Sequence, residues 1–308
     1  MISSIFGKTK PINFIILLGF LFFLYWIVQY QLFQNAFSAS EMVLETIVLS
    51  ILLFSVFIVD FIVKRNKLTA NNSFAMLYFT LFFLVFPEVF RDSNAILANL
   101  FLLLAIRRLL SIKSLKEIKL KIFDATLWIL VASLFYDWAV LFIAMVLIII
   151  SVYEPRNSKN WLAILSAFIS FSLLTAMVFL STNNESYLLE HYNFKMGNTR
   201  SYFTNIKLGI YVLINVGLIV WSFWKYNTSG IGKIVTLQIA ALLFGIGLLI
   251  SILNSTKDSY AITITFLPSV IFMCNYLESI KKHNVLEMIL ITSILIPILV
   301  FSFKLFEI

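Results

Sequence analysis

The chain predicts an all-α, polytopic membrane helix bundle of about eleven transmembrane helices, N-terminus cytoplasmic and C-terminus external. Three observations carry this expectation. Of 308 residues, 61% are hydrophobic and 12% charged, where a soluble domain carries roughly 25% charged residues. The apolar residues form long Leu/Ile/Phe runs, not the alternating segments of about ten residues that a membrane β-barrel needs. The 23 basic residues also sort by gap. Six (Arg91, Lys195, Arg200, Lys207, Lys257 and Lys304) fall in one set of alternate gaps, and the remaining 17 fall in the other. Basic residues are retained on the cytoplasmic side, so the split orients the chain.

The elements follow in order. Residues 12–31 form an apolar stretch without a small-residue cleavage site and with further spans behind it, so it reads as a retained helix rather than a signal peptide. Span 42–63 carries Asp60 and Lys64 four apart near its inner end, a helical ion pair. Span 72–86 follows, then 93–110, whose terminal Arg107 and Arg108 reach the headgroups. In the linker 111–121, Ile112, Leu115, Ile118 and Leu120 suggest a short amphipathic helix on the inner leaflet.

Residues 122–153 as one helix would be about 48 Å long, against a hydrocarbon core of about 30 Å. Spans 122–136 and 138–153, joined by a tight turn at Phe135-Tyr136-Asp137-Trp138, fit better. Asp124 suits the N-terminus of the first of them. Span 161–181 carries Ser166, Ser170 and Ser172 as packing positions. The external loop 182–205, with a short interfacial helix around Tyr187–Tyr192, leads to spans 206–224, 234–253, 259–277 and 285–303. Pro268 and Pro297 predict kinks, and Gly245-Ile246-Gly247 close helix approach. No stretch is long and polar enough for a soluble domain, so 1–308 reads as a single membrane domain.

Several function classes fall away. The formal net charge of +8 is spread over short loops facing lipid headgroups, so no nucleic-acid partner is expected. Cys274 is the single cysteine, which precludes an intrachain disulfide. The only histidines, His191 and His283, fall on opposite faces, which argues against a histidine-ligated metal centre. Asp, Glu, Lys and Arg are missing from the span centres, where coupled transporters keep them. Asn215 and Gln238 are the strongly polar residues there. Glu117, Glu154, Glu278 and Glu287 read as solvated inner-face residues.

Polar chemistry concentrates outside. Glu41 and Glu45 open the second span, Glu88, Arg91 and Asp92 precede the fourth, and Asp137 lies in the tight turn. His191, Lys195 and Arg200 lie in the long loop. A carboxylate serves as general base toward a hydroxyl or holds a divalent metal, and a basic residue holds a phosphate. Glu41, Glu45 and Asp92 are the candidate catalytic residues. Glu88, Arg91, Asp137, His191, Lys195 and Arg200 are the candidate substrate-binding ones. No metal ligand set is assigned.

The segment Asp92-Ser93-Asn94-Ala95 through Arg107-Arg108-Leu109-Leu110, followed by Leu127 to Trp161 with Tyr136-Asp137-Trp138, resembles integral-membrane glycosyltransferases of the type C fold. The resemblance is one of element order and covers residues 12–181. It implies a sugar transferred from a polyprenyl-phosphate donor at the outer leaflet, with Glu41 or Glu45 as catalytic acid and Glu88 or Asp92 as a second acidic position. The chain departs from that pattern in carrying Glu for Asp at the first position and Asp137 where a basic residue is common. It also resembles uncharacterised multi-pass proteins of Gram-negative bacteria, which implies a bacterial inner membrane. The alternatives are a non-catalytic subunit or assembly factor of an envelope complex, with a membrane-protein partner, and a transporter of lipid or a small molecule.

The charge split makes a direct test. A cysteine introduced at position 190 is expected to react with a membrane-impermeant maleimide on intact cells; labelling only after permeabilisation would reverse the orientation.

Overall fold

A computed structural model describes residues 2–154, 157–182, 192, 194, 205–227, 230–253 and 261–306. Among these, every regular element is helical: α1 (Ile2–Phe6), α2 (Pro11–Ile27), α3 (Ala39–Arg65), α4 (Phe74–Val85), α5 (Ser93–Ser111), α6 (Ile118–Ser133), α7 (Ile143–Tyr153), α8 (Lys159–Thr182), α9 (Ile206–Tyr226), α10 (Ile231–Leu253), α11 (Phe266–Glu278) and α12 (His283–Phe306). A π-helical turn, Val28–Leu32, prolongs α2, and 3-10 segments Pro87–Arg91, Asp137–Phe142 and Ala261–Thr265 lead into α5, α7 and α11. In apolar surroundings a backbone N–H or C=O has no water to bond, so each segment satisfies its own groups helically.

Each of the eleven apolar stretches is mainly helical over its described residues, but eight helices among the described residues are long and apolar enough to cross a membrane. The segments 74–85 and 137–153 are shorter, and α6 carries Lys119, Lys121 and Asp124. The reason is visible in α4. Every residue from Phe74 to Leu84 is buried. Flanked by α2, α3, α11 and α12, this helix meets protein instead of lipid along its length. The helix α5 packs on α3 and α6, and α6 on α8. The fully buried Ala98 and Ala105 of α5 and Ala125 and Ala132 of α6 recur at seven-residue spacing, where small residues allow close approach. By contrast, α8, α9 and α12 expose most of their apolar side chains.

An aromatic cluster ties the middle together. The Phe266 ring lies 5.1 Å from Phe82, 5.2 Å from Phe83 and 6.2 Å from both Phe79 and Phe86. Phe83 stacks on Phe90 at 5.5 Å. A β-carbon on Gly247 would meet the Ile264 and Thr265 methyls at 3.2 Å, so that glycine permits α10 to approach the 261–265 segment; Gly245 meets nothing.

Hydrogen bonds between elements concentrate at two poles. At the near pole, Asn13 donates to Ile5 O, Lys8 O and Ser73 Oγ, and Ser73 N–H donates to Phe6 O. Glu278 accepts from Ala70 N–H and from Asn72 Nδ2 at 2.6 Å. Glu287 accepts from Ile2 and Ser3, and Glu154 from Asn157 and Asn160. These three glutamates therefore serve as inter-segment acceptors, not as solvated ends.

Other details also differ from the sequence reading. Asp124 does not cap α6, which starts six residues earlier; it pairs with Arg108 at 2.8 Å. Arg107 lies over the Phe61 ring. Residues 111–121 form no amphipathic helix: Leu115 turns left-handed with φ 54°, and Ile112 and Ile118 are buried while Leu115 and Leu120 are exposed. Ser166 and Ser172 are exposed and bond carbonyls of their own helix. Pro268 sits in the first turn of α11, where its missing N–H costs nothing. Asp60 and Lys64 do pair, at 2.7 Å. Apart from Tyr192, the expected interfacial helix at 187–192 lies outside the described residues, as do His191, Lys195 and Arg200.

Phe266→Ala is expected to destabilise the bundle by about 3–5 kcal/mol, and Phe266→Leu by much less. Thermal unfolding in detergent measures the difference.

Candidate functional site

The far pole holds the candidate site. It begins where the π-helical turn follows α2. An inserted residue rotates the last turn, a feature frequent at functional sites. Gln29 in this turn is buried, and its Nε2 donates to Phe90 O at 3.2 Å and to Glu45 Oε2 at 3.3 Å. Asn35 Nδ2 donates to Gln29 Oε1 at 2.9 Å. The fully buried Tyr25 donates its phenol to the same Glu45 Oε2. One half-buried carboxylate thus joins α2 and α3, and Gln29 links both to the 87–91 segment.

Glu45 also lines an open cleft of about 250 Å³ with Asn35, Ala36, Phe37, Leu44 and Glu41. Beside it, Trp26 stacks on Tyr30 at 5.6 Å, and Phe37 meets both rings edge-on. Aromatic rings of this kind suit the membrane–water boundary. Glu41 lies within α3, since that helix begins at Ala39. Its carboxylate accepts from Ser38 N–H at 2.8 Å while Ser38 Oγ accepts from Glu41 N–H, a reciprocal cap. The connection 33–38 therefore contains no acidic residue.

Asp92 caps α5 through Ala95 N–H at 3.0 Å and accepts from the Tyr136 phenol at 3.2 Å. Asp137 accepts from Trp138 N–H at 2.8 Å. The Arg91 guanidinium lies 4.4 Å from the Phe33 ring centre. Glu88 Oε1 pairs with Lys207 at 2.8 Å and also with Lys304. One carboxylate therefore clamps two distant segments, the head of α9 and the tail of α12. Burial alone would raise the Glu88 carboxyl, but the two ammoniums outweigh it and hold it below its usual value.

The structure thus gathers Glu41 and Glu45 on one cleft, while Arg91 lies over Phe33 and Asp92 accepts from Tyr136 of the tight turn. Glu88 stands apart in its own ion triad. Among the described residues, no three His, Cys, Asp or Glu side chains group to hold a metal. Asn215 is buried and donates to Tyr211 O, whereas Gln238 is exposed. Sequence reasoning missed Tyr25, Gln29, Tyr136, Lys207 and Lys304. Gln29 gave a signal, being a strongly polar residue inside an apolar stretch. The two lysines gave only their place among the six external cations.

Glu88→Gln is expected to lower stability by about 2 kcal/mol at neutral pH, since charged hydrogen bonds are worth about 1.5–3 kcal/mol. A carboxylate held below its usual value stabilises the fold above that value, and this is lost as pH falls through the lowered one. The gap between parent and variant should therefore close on acidification, as followed by thermal unfolding from pH 7 downward.

No curated protein and no solved structure matches the chain. Nothing in these comparisons supports the resemblance to glycosyltransferases. Residues 5–308 match the profile of DUF6427, a family of unknown function, and the chain belongs to that family.

Proposed function

We propose that this chain is a non-catalytic subunit or assembly factor in a bacterial inner membrane, with the near pole in the cytoplasm and the far pole outside. One observation carries the reading. Glu41, Glu88 and Asp92 accept hydrogen bonds or ion pairs that cap or join helices, and Asp137 accepts from the adjacent backbone N–H of Trp138. A general base needs its carboxylate free for a substrate proton. The orientation rests on the 17 basic residues that the sequence puts in one set of alternate gaps. The lipid-exposed sides of α8, α9 and α12 offer surface to a membrane-protein partner.

A second reading keeps a specific observation in its favour. Glu45 lines an open cleft beside a π-helical turn and an aromatic wall, as a transferase acting on a polyprenyl-phosphate-linked sugar would require. There Glu45 would be the base, and His191, Lys195 and Arg200 would supply the phosphate contacts.

Complementation of a deletion strain separates the two. The subunit reading expects Glu45→Gln and Asp92→Asn to restore function in proportion to the amount of protein in the membrane. Loss of function by Glu45→Gln at unchanged abundance would overturn it in favour of the transferase.

A further inference from the structure

A groove of about 280 Å³ runs between α9 and α12, lined by apolar side chains that include Leu81, Phe82, Ile210, Ile214, Ile296 and Val300. Tyr78 and Ser293 also line it, and their hydroxyls bond each other at 2.9 Å, which removes both polar groups from demand. Lys207 stands at the far-pole end. There it shares Glu88 with Lys304, so the triad above the groove carries one net positive charge. Both lysines use Glu88 Oε1, and the buried Glu88 Oε2 has no partner among the described residues. From Ser293 to Lys304 the helix rises by about 16 Å, close to half of a hydrocarbon core of about 30 Å.

We infer that this groove binds one anionic phospholipid, its acyl chain between α9 and α12 and its phosphodiester on Lys207 and Lys304. Two features select this occupant. The single net charge matches a phosphodiester, whereas a phosphate monoester carries about −1.5 to −2 at neutral pH. The depth matches a chain that ends at the midplane, not a polyprenyl tail. The site is independent of the Glu45 cleft, and it holds whichever reading of that cleft is correct.

Native mass spectrometry of the full chain in mild detergent tests it, with phosphatidylglycerol, phosphatidylcholine and undecaprenyl phosphate added in competition. A lysine near the surface contributes about 1 kcal/mol toward an anionic lipid, so with one net positive charge the parent should retain phosphatidylglycerol over phosphatidylcholine by about fivefold. Removing only the lysines would strand the Glu88 charge. The variant to use is the neutral triple Glu88→Gln, Lys207→Gln and Lys304→Gln, which should lose the preference while still purifying as a folded protein. Ile296→Trp fills the groove without touching the charges and should abolish the bound lipid. Undiminished preference in the neutral triple variant, or retention unaffected by Ile296→Trp, would overturn the site. Displacement of phosphatidylglycerol by undecaprenyl phosphate would overturn the choice of occupant.

Discussion

Polar atoms in this chain have few places to go, and that constraint shapes everything else. Hydrocarbon offers no hydrogen bonds, so the helices keep their backbones satisfied and their ionisable groups near their ends. The inter-element polar bonds accordingly gather at two poles. At one, Asn13, Glu278 and Glu287 stitch the N-terminal segment, the 66–73 connection and the last two helices together. At the other, Glu45, Glu88 and Asp92 do the same for α2, α3, α5, α9 and α12. Between the poles packing dominates, with alanines between α5 and α6 and the rings around Phe266, and the Tyr78–Ser293 hydroxyl pair adds a polar contact between helices.

This division bears on function. A carboxylate at a helix end in a membrane protein has two uses, organising neighbours or meeting a substrate, and the first competes with the second for the same lone pairs. Glu88 shows the competition won by structure, with two ammoniums on one oxygen. Glu45 is balanced differently. Its hydrogen bonds from Tyr25 and Gln29 both fall on Oε2, and its side chain still borders open space. Tyr25 and Gln29 stand four residues apart, about one helical turn, so both reach the same carboxylate.

Local pattern reveals helices well and partners poorly. The break near Asp137 was legible because a single helix over 122–153 would overrun the bilayer. The pairing of Asp60 with Lys64 was legible because four residues make one helical turn. Asp124 was misread for the same reason in reverse: its helix starts earlier than the apolar run, so its partner is Arg108 on another helix. Glu278 and Glu287 looked solvated because their partners, Asn72 and Ser3, lie more than 200 residues away. Glu41 also moved from the first connection into a helix, since Ser38 and Glu41 cap each other and start α3 before its apolar run begins.

Sequence alone determined that the chain is helical, apolar and built to cross a membrane repeatedly, because length, composition and charge placement answer to the solvent rather than to any particular neighbour. It also marked one end of the bundle as rich in basic residues. Tertiary structure decided that α4 is enclosed by protein, that Glu45 faces a cleft, and that Glu88 holds α9 to α12 above an apolar groove. Each of those depends on which distant helices meet, and in a bundle where nearly every surface is apolar, composition carries no record of that choice.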